Sequence, residues 1–145
     1  GVPMPEPDDG FLLKGRVRHI LTEAARVEKS SEALIRGDAD AFGHLMNQSH
    51  ESCRSDYGIS TVELDTLTSI MRDAGALGSR LTGAGFGGCA IALVRDSDIV
   101  KVAAAVQNRY FETYIPAAHP ELKQHGLIFT IKPSGGAHFE PSPIP

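Results

Sequence analysis

Ser79-Arg80-Leu81-Thr82-Gly83-Ala84-Gly85-Phe86-Gly87-Gly88-Cys89-Ala90-Ile91-Ala92-Leu93-Val94 is the stretch that decides the fold. Its first four residues read as a short strand. Its last six form an unbroken apolar run bounded by turn signals, the pattern of a central strand buried on both faces. Between them stand Gly83, Gly85, Gly87 and Gly88. Glycine permits positive φ and close backbone approach, and such a loop can present N–H groups to a phosphate.

Context tests the familiar glycine-rich patterns. Gly83, Gly85 and Gly88 match G-x-G-x-x-G, but that motif needs a helix directly after it. Here an apolar strand follows. A Walker A loop needs Lys and Ser/Thr after its last glycine, and Cys89-Ala90 stand there. A protein-kinase loop has the right strand–loop–strand setting, yet no Val-Ala-Ile-Lys, His-Arg-Asp or Asp-Phe-Gly follows. A glycine-rich hairpin without a ligand is the plain alternative, since glycines also serve tight turns. Phe86 at the tip weighs mildly against it, because an aromatic there needs a surface to cover.

Upstream, the apolar residues run at helical spacing. Leu13, Val17, Ile20, Leu21, Ala24 and Val27 predict an amphipathic helix over 11–29. A short helix over 30–36 stops at Gly37. Asp38 or Asp40 caps the next helix, whose inner face is Phe42, Leu45, Met46, Ser49 and Cys53. After a break at Asp56-Tyr57-Gly58-Ile59, Ser60-Thr61-Val62-Glu63 reads as a capping box. Leu64, Leu67, Ile70, Met71 and Ala74 continue that helix to Gly75 and Gly78.

Downstream, Asp96-Ser97-Asp98 caps a helix carrying Ile99, Val102, Ala103, Val106 and Tyr110. Pro116 and Pro120 mark a loop, and Leu127–Lys132 reads as a final strand. The order predicts an α+β domain, with helices over one face of a small, mainly antiparallel sheet.

Composition narrows the function classes. A chain of 145 residues is long enough for one domain with a real core. A net charge of −4 without a basic cluster argues against nucleic acid or an anionic membrane as partner. No apolar stretch approaches the roughly 20 residues of a membrane span. Cys53 and Cys89 form neither a metal motif nor a disulfide framework. Cys89, inside the apolar run, is expected to pack as a small hydrophobe, and a reducing cytoplasm fits. Gly1-Val2-Pro3-Met4-Pro5 carries no signal-peptide pattern and reads as a linker or segment edge.

Ser79–Val94 resembles the third conserved motif of the galactokinase branch of the GHMP kinases. Arg16-Val17-Arg18-His19-Ile20-Leu21-Thr22-Glu23, Leu45-Met46-Asn47-Gln48-Ser49-His50-Glu51-Ser52, Asp56-Tyr57-Gly58-Ile59-Ser60, Glu63-Leu64-Asp65-Thr66-Leu67 and Lys132-Pro133-Ser134 resemble that branch too. Ala84 and Cys53 depart from it, where glycine and a larger apolar residue are common. The resemblance implies a ferredoxin-like C-terminal domain over 14–137, after a linker over 1–13 and before a flexible tail over 138–145. It implies an enzyme that phosphorylates the C1 hydroxyl of α-D-galactose from ATP with Mg2+. ATP, Mg2+ and the catalytic groups would be held mainly by an N-terminal domain, which would also be this domain's structural partner. The loop Gly83, Ala84, Gly85, Phe86, Gly87 and Gly88 would face the phosphates across a cleft, with Arg80 and His50 at its border. No catalytic residue and no metal ligand is expected in this chain, and alone it should be inactive. A sugar and ATP sensor, a kinase for N-acetylgalactosamine or arabinose, and an independent interaction module remain alternatives.

Other residues have plainer expectations. His50 should make a buried hydrogen bond, and Arg80 a salt bridge if it meets no phosphate. Asp65 is expected to be a solvated helix residue, and Asp56 to close the turn before Ser60. Tyr57 is expected in packing.

Overall fold

The computed structural model describes residues 10–122, 127–132 and 135. Helix α1 spans Leu13–Ile35. The two helices expected over 11–29 and 30–36 are one, because Ser30-Ser31 brings neither glycine nor proline to break the ladder. Gly37 does end it. At φ 69 it is left-handed, so Gly37 N–H donates to Leu34 O (3.0 Å) and Asp38 N–H to Ala33 O (2.9 Å), the paired closure of a Schellman end.

Helix α2 spans Ala39–Ser52, with the Asp38 carboxylate accepting from Ala41 N at 2.9 Å. A π-helical turn, Cys53–Tyr57, extends it to the left-handed Gly58. Helix α3 spans Val62–Asp73. Its cap is Thr61, which accepts from Leu64 N at 3.3 Å, not Ser60. The Ser60 hydroxyl is drawn instead to the Asp65 carboxylate at 2.6 Å, so the expected capping box does not form.

Strands β1 (Gly78–Thr82) and β2 (Cys89–Leu93) make an antiparallel hairpin in which Leu81 faces Ala90. The glycine-rich loop is its turn. A 3-10 turn, Asp96–Asp98, leads into α4 (Ile99–Ala105), a π-helical stretch (Val106–Tyr114) and α5 (Ile115–Ala118).

Helix α2 and strand β1 approach each other closely. A Cβ on Gly43 would sit 2.5 Å from the Leu77 carbonyl carbon, and one on Gly78 would overlap the Gly43 carbonyl. Two facing glycines thus let helix backbone rest on strand backbone. That contact brings Asn47 and His50, one and two turns along the same stripe, to the outer edge of β1. Asn47 Oδ1 accepts from Ser79 N–H (2.9 Å) and His50 Nδ1 from Leu81 N–H (3.2 Å). Side chains stand there in place of a third strand.

Two apolar clusters form the core. Leu67, Ile70, Val106 and Tyr110 join α3 to the last helical stretch. Cys53, Leu64 and Leu81 join the π-helical turn after α2, α3 and β1 beneath Ile59 and Ala90.

Two strand expectations need correction. β2 is not buried on both faces: Cys89 is exposed and Ile91 is 45% exposed. Helix α3 packs against β2, and the face that carries Cys89 and Ile91 is largely open among the described residues. Cys89 is therefore no packed hydrophobe. Leu127–Lys132 lies in no strand, and Leu127, Phe129 and Ile131 are exposed. Strand propensity needs a partner to act on, and the described sheet has two strands. The α+β class stands. The proposed tail over 138–145, and residues 1–9 of the linker, lie outside the described residues.

Candidate functional site

The loop between β1 and β2 is an unusual backbone path. Gly83, Gly85, Gly87 and Gly88 have φ of 88, 84, 120 and 88. Side chains rarely adopt these angles. Phe86 shares the left-handed region at φ 60 and projects its ring outward, 73% exposed. A bulky residue there stores strain of order 1 kcal/mol, held by a backbone bond: Phe86 N–H donates to Ile59 O at 2.7 Å. Gly85 makes room for it, since a Cβ there would come within 2.5 Å of the same carbonyl. Among the described residues nothing lies within 4 Å of the Cβ positions of Gly83, Gly87 and Gly88. The rest of the loop is therefore open to whatever approaches it.

Beneath the loop, His50 is 3% exposed. The expected buried hydrogen bond is a set of them. Nδ1 accepts from Leu81 N–H, so the ring proton belongs on Nε2. That nitrogen lies 3.0 Å from Thr68 Oγ1 and 3.1 Å from Asp65 Oδ1. Burial lowers the His50 pKa more than the nearby Asp65 carboxylate raises it. Asp65 is not the solvated residue expected. It links His50 to Ser60, because the helix points it inward across one turn of α3.

Arg80 makes its salt bridge within the domain. Nη1 lies 3.2 Å from Glu23 Oε1, and Nε donates to Leu81 O at 3.0 Å. Glu23 also accepts from Ser49 (2.5 Å) and Arg26 (2.8 Å). Burial alone would raise the Glu23 pKa, but these donors and both arginines hold it below the ordinary value. Sequence reading passed over Glu23. An acidic residue three before Arg26 on the same helix face was its one signal.

Asp56 does not close the turn before Ser60. It pins α1 to the end of α2, receiving Arg18 at 3.0 Å and Ser52 at 3.2 Å. Tyr57 packs as expected: it stacks on His19 (4.6 Å between centroids), with the Arg16 guanidinium 5.1 Å from its ring centre. The structure thus brings His50 and Asp65 to the loop, and turns Arg80 toward α1. Among the described residues no cluster of His, Cys, Asp or Glu could hold a metal ion.

Residues 30–113 match the family described as GHMP kinases C terminal, and the chain belongs to that family. Within it, the chain is similar to galactokinases. It is 45% identical to the galactokinase of Halalkalibacterium halodurans over 68% of this chain and 25% of that protein. It is 37% identical to that of Dictyostelium discoideum over 88% and 29%. The Lactococcus lactis galactokinase, solved with galactose, superposes with TM-score 0.65 at 43% identity, over 70% of this chain and 26% of that one. Mevalonate kinase of L. major, solved with R-mevalonate, gives TM-score 0.58 at 33% identity, over 62% and 28%. The chain spans about a quarter of the length of the curated relatives it matches.

Proposed function

We propose that this chain is the C-terminal part of a galactokinase. The observation that carries the reading is its 43% identity to a galactokinase solved with galactose, across 70% of the chain. In the reaction, the C1 hydroxyl oxygen of α-D-galactose bonds to the γ-phosphorus of ATP. The bond from that phosphorus to the bridging oxygen breaks, ADP leaves with the electron pair, and the hydroxyl proton passes to a base outside this chain.

The loop Gly83–Gly88 contributes position and charge stabilisation, the main demands of phosphoryl transfer. Its open glycine amides suit a developing negative charge. Phe86 N–H is committed to Ile59 and serves to shape the loop. Mg2+ would neutralise phosphate charge when bound, and its ligands lie outside the described residues. The exposed apolar stripe of α1 (Leu13, Val17, Ile20 and Leu21) packs against the N-terminal domain, and the setting is the cytoplasm.

The test is ADP release with galactose and MgATP. A longer protein containing this sequence turns over, and the 145-residue chain alone does not. Turnover by the chain alone, or a longer protein inert toward galactose, overturns the proposal.

A further inference from the structure

We infer that His50, Asp65 and Ser60 are positioning residues that set the glycine-rich loop at both its base and its tip. The inference rests on the galactokinase reading only for its effect on turnover.

The bonds form a closed circuit. At the loop's base, Leu81 N–H donates to His50 Nδ1 (3.2 Å). Across the ring, Nε2 meets Asp65 Oδ1 (3.1 Å). The same oxygen accepts the Ser60 hydroxyl (2.6 Å). One peptide bond back, Ile59 O accepts Phe86 N–H at the loop's tip (2.7 Å). Leu81 and Phe86 are held by one connected set of groups on α2, on α3 and on the Ile59-Ser60 segment that leads into α3, so movement of the base is coupled to movement of the tip.

Nothing else described holds the tip so directly. A Cβ on Gly83, Gly87 or Gly88 meets no atom of the described residues within 4 Å, so no described residue supports the loop's flanks from the side. Thr68 steadies the ring between its own bonds to His50 Nε2 and Asp65 O (3.0 and 3.1 Å). His50 must be neutral at Nδ1 for Leu81 to be bound, and its 3% exposure favours that form. The charged groups acting on it are Asp65 and Arg72 of α3 and Arg54 of the π-helical turn. His50, Asp65 and Ser60 act through the loop.

The test is a variant series in the longer protein, with amide exchange followed in the 145-residue chain. In Asp65→Ala the Phe86 amide should exchange about tenfold faster, the loss of roughly one hydrogen bond. kcat should fall by about tenfold or more while the KM for galactose stays within about threefold, since the loop acts on the transferring group. Asp65→Asn keeps an oxygen that accepts from Ser60 and His50, and should restore kcat to within about threefold. Ser60→Ala, a smaller change at a half-buried position, covers the case in which Asp65→Ala does not fold. It should accelerate Phe86 exchange in the same direction. Unchanged Phe86 exchange in both alanine variants overturns the inference. So does accelerated exchange with an unchanged kcat. If the wild-type protein does not phosphorylate galactose, the functional reading fails on its own, and Phe86 exchange alone decides the loop anchoring.

Discussion

Replacing Gly43 by alanine should destabilise the domain, although alanine is the better helix former. Gly43 lies inside α2, and at an open helical site Gly→Ala stabilises by about 1 kcal/mol. Here the new Cβ would sit 2.5 Å from the Leu77 carbonyl carbon and 2.6 Å from its oxygen. That is about 1 Å inside ordinary carbon contact, and both atoms are backbone, which cannot swing aside. Relief requires α2 and β1 to separate. Overpacking of this kind costs about 1–3 kcal/mol. Separation also stretches the bonds from Asn47 and His50 to Ser79 and Leu81, at about 1 kcal/mol each. The net loss is about 2–4 kcal/mol, a fall in Tm of about 5–15 °C for a domain near this size. Urea or thermal unfolding followed by circular dichroism measures it. The Ser79 and Leu81 amides should exchange faster in the same variant. Equal or higher stability would falsify the backbone contact and the edge-capping role built on it.

Three further outcomes are expected. Gly85→Val in the longer protein should lower kcat by about tenfold or more with a smaller effect on stability, because φ 84 and the Ile59 carbonyl both resist a side chain; a normal kcat removes the loop from the chemistry. Proton NMR should place the titrations of His50 and His119 on opposite sides of the ordinary value. Burial lowers the His50 pKa, so its contribution to stability is complete above about 6.5 and is lost as pH falls. The hydrogen bond to Glu63 raises the His119 pKa, so its contribution is present below about 6.5 and is lost as pH rises; the reverse order contradicts both assignments. Ellman's reagent should titrate one thiol of the native chain, Cys89, and reach Cys53 only on unfolding, since burial both hides Cys53 and raises its pKa; two fast thiols refute this packing.

The local features were legible because each is written in a few adjacent residues. Gly37 and Asp38 marked one helix end and the next helix start. The glycines between two apolar runs marked a hairpin, and a strand after the loop ruled out a dinucleotide fold. What escaped was relational. Ser60 and Thr61 are equally good caps by type, and only the position of Asp65 decides that Ser60 turns away. Asp65 looked solvated because a helix pattern does not reveal a buried histidine arriving from another helix. β2 looked buried because an apolar run reports what a strand can bury, and not whether an element is there to cover it. Arg80 had two partners in prospect, and Glu23, fifty-seven residues earlier, was visible as neither.

The capped edge of β1 has a consequence for how this chain behaves among other chains. An unpaired strand edge is a template for foreign strands and for aggregation. Asn47 and His50 occupy the two amides that such a strand would need on β1, so that side of the hairpin is closed to templating. The other side, along β2, is not closed by any described residue. Among the described residues the sheet therefore has a polarity, with one edge capped and the other open. A variant lacking the Asn47 and His50 side chains would expose both edges, with the hairpin set between two strands able to recruit neighbours.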